Sequence, residues 1–192
     1  MKNLTPIIAS ILLLVSGLAY ADREVEDYSE TLGMFKKNEA VAPYFGSAHS
    51  YAVFPTIAKG GIGIGAAHGK GQVYTGGAVT GFTSLTQITI GFQLGGQAYS
   101  QVIFFENETA YTNFTNGNFE FDAQASAIAI NASAQASSGT TGTAASAGTG
   151  GGDAGKQAKA AYHKGMLIFV IGKGGLMYEA SLGGQKFKYE PI

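Results

Sequence analysis

Across 192 residues the chain carries 12 basic and 13 acidic side chains and no cysteine. That excludes disulfide staples, thiolate metal sites, a lipidated N-terminal cysteine and a cysteine nucleophile together. A formal net charge of −1 without a basic stripe excludes a nucleic-acid profile, since duplex binders neutralise phosphates with clustered Lys and Arg.

The chain opens on the plan of a secretory signal. Lys2 is a positive start, residues 7–18 are an apolar stretch, and Ala19-Tyr20-Ala21 is an A-x-A cleavage site. Pro6, Ser10, Ser16 and Gly17 dilute a segment already shorter than the roughly 20 apolar residues of a membrane span. Residues 1–21 are therefore expected to be a removed signal peptide. Residues 22–192 are expected to be one exported domain, in the periplasm or at the cell surface of a bacterial envelope. Without residues 1–21 the balance is 11 basic against 13 acidic residues.

Residues 22–42 hold Val25, Tyr28, Leu32 and Phe35 three or four apart, which predicts an amphipathic helix stopped by Pro43. Acids at its start and Lys36 and Lys37 near its end match the helix dipole. Over 51–105 the pattern changes to short runs of Val, Ile, Phe and Thr punctuated by glycine, which predicts strands. The pairs Gly60-Gly61, Gly76-Gly77 and Gly95-Gly96 are expected at turns or bulges. Residues 106–114 predict a short helix, with Ala110, Tyr111 and Phe114 on one side.

Residues 121–134 alternate strictly. Phe121, Ala123, Ala125, Ala127 and Ala129 fall on one face, and Asp122, Gln124, Ser126, Ile128 and Ile130 on the other. An alanine face implies close approach to a neighbour, under a helix or inside a narrow barrel. Residues 137–155 are a low-complexity Gly, Ala, Ser and Thr run that is expected to be a mobile loop. Residues 166–171 read as a buried strand, and 176–189 as a closing strand or hairpin around Gly183-Gly184. The expected fold is α+β and β-dominated: a curved antiparallel or small barrel-like sheet, an N-terminal helix and one or two short helices.

Motifs that would carry catalysis fail on inspection. The glycine-rich run from Lys59 to Gly71 is no phosphate loop, because Lys70 is followed by Gly71 and the position five before Gly69 is Ile64. Its glycines are better read as places where a strand bends or packs against another backbone. His49, His68 and His163 lack ligand spacing, and Ser84 lacks a nucleophile-elbow context. No enzyme, cofactor or metal is expected.

From residue 151 onward Lys156, Lys159, Lys164, Lys173, Lys186 and Lys188 face only Asp153, Glu179 and Glu190. Such an excess, interleaved with Tyr162, Phe187 and Tyr189, suits anionic headgroups or an ordinary solvated face. The N-terminal helix has an acidic polar face, the wrong sign for an interfacial anchor, and is expected to pack on the sheet.

Ser47, Ala48, Val53-Phe54-Pro55, Ala58-Lys59-Gly60-Gly61 and the glycine-spaced run to Gly69-Lys70-Gly71 resemble the opening of the SYLF domain. Gly91 to Gln97, Val102-Ile103-Phe104, and the ending from Lys164-Gly165 to Gly184 resemble its later blocks. Phe82-Thr83-Ser84-Leu85 stands where that family has Trp-Ser-x-Pro. The resemblance implies a non-enzymatic lipid-binding module, peripheral to an anionic phospholipid surface. The residues expected to meet lipid are Lys59, Lys70, Lys164, Lys173, Lys186 and Lys188. The alternative is an envelope structural or interaction protein acting through sheet edges, with a protein partner or by self-association.

Overall fold

The computed structural model describes residues 24–116, 119–121, 127–130, 162–173 and 183–192. In chain order it contains α1 (Ser29–Lys36), α2 (Tyr44–Ser47), β1 (Ser50–Thr75), β2 (Ala78–Phe105), α3 (Glu108–Thr115), β3 (Phe119–Glu120), β4 (Ile128–Ile130), β5 (Met166–Lys173) and β6 (Lys186–Pro191). The fold is β-dominated, with a strongly curled half-barrel sheet and a few short helices.

β1 and β2 are the arms of one long antiparallel hairpin, in register from Ser50↔Phe105 to Thr75↔Ala78. Gly76 and Gly77 turn it with φ of 59° and 85°, values that a residue with a Cβ adopts only at a cost. Laid flat, a 26-residue strand would run about 86 Å. Register shifts at Phe54/Ile57, Ile62/Ile64 and Val73/Tyr74 bend it, as bulges do. The two halves of β2 consequently have different neighbours: Gly81–Thr86 pairs with β6 and Ala98–Phe105 with β5. The sheet order is β3-β6-β2-β5-β4, with β1 along β2. The β4–β5 pair is parallel, the exception to an otherwise antiparallel sheet among the described strands.

The curl brings the halves of β1 against each other. A Cβ on Gly69 would lie 2.6 Å from the Ile57 side chain and 3.0 Å from the Thr56 carbonyl oxygen; one on Gly71 would lie 2.5 Å from the Val53 carbonyl oxygen. Glycine is what lets this seam close. The other glycine pairs are not both turns, because Gly60-Gly61 sits opposite Gly96-Gly95 inside the ladder, beside the bulge where the hairpin bends.

Two cores follow from the two faces of the sheet. Inside the curl lie Phe54, Ile57, Leu85, Ile103, Phe105 and Phe187, with Phe114 of α3 packed among them. On the outside Val53, Val102, Phe104 and Phe169 are buried with Phe35 of α1, and Tyr44 and Phe45 of α2 pack against them. The alternation read over 121–134 appears at its described ends: Phe121 and Ala127 join the inner core, Ile130 the outer one, and Ile128 packs on the outer one. Residues 122–126 and 131–134 of that segment, the loop expected at 137–155, the signal at 1–21 and much of the closing segment, 176–182, lie outside the described residues.

The N-terminal helix is shorter than its periodicity predicts. It begins only at Ser29, whose N–H donates to the Asp27 carboxylate at 2.9 Å, a local bond that competes with helix continuation. Val25 accordingly lies outside the helix and is 50% exposed, not on a buried face. Past Lys36 the chain turns, and Pro43 starts α2 with a φ of −60° instead of ending α1. The short helix predicted over 106–114 is present as α3, capped by Asn107, whose side chain accepts the Ala110 N–H at 3.0 Å.

Candidate functional site

Ladder register places distant lysines side by side. Ser84 in β2 pairs with Lys70 of β1 on one side and Lys188 of β6 on the other. One step along, Thr86 pairs with His68 and Lys186. Side chains alternate across a strand, and here Gly69, Leu85 and Phe187 turn inward and are buried. Lys70, Lys188, His68 and Lys186 therefore share the outer face, where all four are exposed. Two strand spacings put the backbones of Lys70 and Lys188 about 10 Å apart. Lys186 also forms an ion pair with Glu120 at 3.4 Å, which offsets part of its charge.

Lys173, at the end of β5, donates from Nζ to Thr56 Oγ1 at 2.7 Å. Thr56 in turn lines an open groove of about 330 Å³ with Glu26, Ala58, His68, Gly69 and Lys70. The groove follows the seam between the halves of β1, so the curl brings Lys173 near the same cations. Tyr28 closes one side of the groove. Burial, with help from the Glu26 charge, pushes its hydroxyl above the ordinary tyrosine range, so it stays neutral in ordinary buffers.

The structure separates the six predicted lysines. Lys70, Lys186 and Lys188 are neighbours, and Lys173 adjoins them through Thr56. Lys59 does not join them: it is only half-exposed and shares the strand side of the buried Ile57, opposite Gln97. Lys164 is elsewhere too, in the turn between His163 and Met166 with a φ of 51°, beside Gly165, which approaches Ala110 of α3. The C-terminal basic excess is therefore not one continuous face.

Sequence reasoning missed His68, Ser84 and the exposed pair Ile64 and Ile88. Residues 64, 66, 68 and 70, and 84, 86 and 88, do alternate with inward ones, but only knowledge of the cross-strand partners turns that alternation into a surface.

The interior of the curl holds amides and aromatics. Gln101 Nε2 donates to Gln185 Oε1 at 3.2 Å, and Gln185 Nε2 donates to the Tyr99 hydroxyl at 3.1 Å. Gln87 Nε2 donates to the Gly183 carbonyl at 2.8 Å. These bonds tie the middle of the hairpin to the turn that launches β6. Burial pushes the Tyr99 hydroxyl far above its ordinary range. Among the described residues no Asp, Glu, Lys, Arg or His is buried, no three His, Asp or Glu side chains group as metal ligands, and no helix is long and apolar enough to cross a membrane.

Comparison with known proteins leaves this geometry to stand by itself: no family model matches the chain, and neither does any curated protein.

Proposed function

We propose that this is an exported, non-enzymatic module of the cell envelope that associates peripherally with anionic phospholipid headgroups. The observation that carries the reading is the row Lys70–Ser84–Lys188, flanked by His68–Thr86–Lys186. The resemblance of the run ending in Gly69-Lys70-Gly71 to SYLF domains supports the same reading. Each cation held near an anionic surface contributes about 1 kcal/mol, and Glu26, Glu120 and Glu190 offset part of that. Charge alone therefore gives weak, salt-sensitive attachment. The rival reading is association through sheet edges, with a protein partner or by self-association.

Co-sedimentation of the naturally processed protein with neutral and anionic vesicles across a salt series tests the proposal. Binding to anionic vesicles is expected at low ionic strength and is expected to fall as salt rises. Lys70→Glu/Lys188→Glu should weaken it at least tenfold, by loss of two attractions and gain of two repulsions, while Lys164→Glu should change it little. No binding to anionic vesicles at low salt would sink the reading.

A further inference from the structure

We infer that Ile64 and Ile88 form an apolar wedge that enters the interfacial layer of an anionic bilayer while the neighbouring lysine rows hold its headgroups. This rests on the lipid-binding reading above and adds how the face is seated. Ile64 is 66% exposed and Ile88 74%. Ile88 pairs with Ala66, two residues along β1 from Ile64, so the two isoleucines are diagonal neighbours on one face, about 7–8 Å apart at the backbone.

Their exposure departs from the pattern of the rest of the sheet. Where outward positions of the same two strands carry Tyr51, Val53, Val102 and Phe104, the outer core buries them with α1 and α2 packed alongside. Around Ile64 and Ile88 the outer positions Ala66, His68, Thr86 and Lys70 are exposed as well. The patch also sits at the bend, since the register shift at Ile62/Ile64 is where the hairpin folds over, and a bend projects its convex side chains.

Charge chooses the occupant. The His68/Lys186 row begins two residues from the Ala66/Ile88 pair, and the Lys70/Lys188 row four residues away, or about 7 Å and 13 Å along the strands. An apolar tip with cations behind it suits an interfacial element, whose apolar face is buried about 5–10 Å into the headgroup/acyl boundary while its lysines stay with the anionic headgroups. Lysine stems reach back along apolar surface to keep their ammonium groups at that level.

Since the chain has no cysteine, a fluorophore sensitive to polarity can be placed at a single site. We would label Ile88→Cys and, as a control on another element, Glu108→Cys at an exposed position of α3, and add vesicles of phosphatidylcholine with and without phosphatidylglycerol. Expected are a blue shift at position 88 only, and only with anionic vesicles, and a partition constant about tenfold lower for Ile64→Ser/Ile88→Ser. Circular dichroism should show that this variant is folded. Binding with no shift at 88 and no loss in the variant overturns the wedge and leaves the headgroup reading standing. No binding by the wild type defeats both. A concentration-dependent oligomer that the double variant dissolves, with no response to vesicles, overturns the wedge in favour of a second copy of the chain.

Discussion

Replacing Gly71 with alanine would place a methyl carbon 2.5 Å from the Val53 carbonyl oxygen and 2.8 Å and 2.9 Å from two carbons of the Phe54 ring. Neither neighbour can yield cheaply. The oxygen belongs to the backbone of the other half of β1, and Phe54 is fully buried in the inner core. Forcing a methyl into such a site costs about 1–3 kcal/mol, occasionally more, and the backbone contact puts Gly71→Ala at the upper end. For a domain of this size that lowers the melting temperature by roughly 2–4 °C per kcal/mol, so about 6–12 °C. Gly33→Ala is the matched control: its Cβ meets nothing within 4 Å in α1, and alanine in a helix is favoured over glycine by about 0.5–1 kcal/mol. Thermal and urea denaturation of both variants supplies the comparison. In an open hairpin alanine would be the better strand residue at position 71, so the sign of the change is diagnostic. A Gly71→Ala protein as stable as wild type would refute the closed seam, and with it the groove that draws Lys173 towards Lys70.

Three further outcomes follow from the same packing. Phe187 is 1% exposed and meets the rings of Phe54, Phe114 and Phe121 at centroid separations of 5.7, 5.1 and 5.3 Å, so Phe187→Ala should lose about 3–5 kcal/mol in urea denaturation. Asn107→Ala removes the side-chain cap of α3 and should cost about 1 kcal/mol, with Asn107→Ser recovering most of it; equal loss in both would assign the effect elsewhere. Stability should fall at alkaline pH, because burial raises the hydroxyls of Tyr74 and Tyr189 to about 12. The folded state holds these protons more tightly than the unfolded chain, so their contribution is complete below pH 10 and is lost as pH rises from about 10 to 12. Urea midpoints constant from pH 8 to 12 would contradict the burial of both rings.

The class of fold was legible along the chain because its signals are local. Short runs of Val, Ile, Phe and Thr from 51 onward, their glycine punctuation and the unbroken apolar segment Met166–Ile171 define strands without knowledge of their partners. The spacing of Ala110, Tyr111 and Phe114 defines α3. The failed phosphate-loop match was legible too, and the glycines around Lys70 do what the bland reading asked of them, letting backbone approach backbone at Gly69 and Gly71. Periodicity overextended the first helix because Val25 fits a helical face arithmetically, whereas the Asp27 carboxylate holding the Ser29 N–H is a local contact that hydrophobic spacing does not register.

The candidate site was legible only as a set of residue types. Lysine excess near the C-terminus is a compositional fact, but membership of one surface depends on strand register, which links Lys70 to Lys188 through Ser84 across more than a hundred residues of chain. A one-residue slip in that pairing would turn Lys188 inward and Phe187 outward, so no count of charges along the sequence could have admitted His68 and dropped Lys59 and Lys164. Ile64 and Ile88 show the same division. By themselves they are ordinary strand residues, and the sequence determined that they would lie in strands. Whether a helix covers that part of the sheet, as α1 and α2 cover Val102 and Phe104, is a matter of three-dimensional packing, and tertiary structure alone decided that they face outward beside the cations.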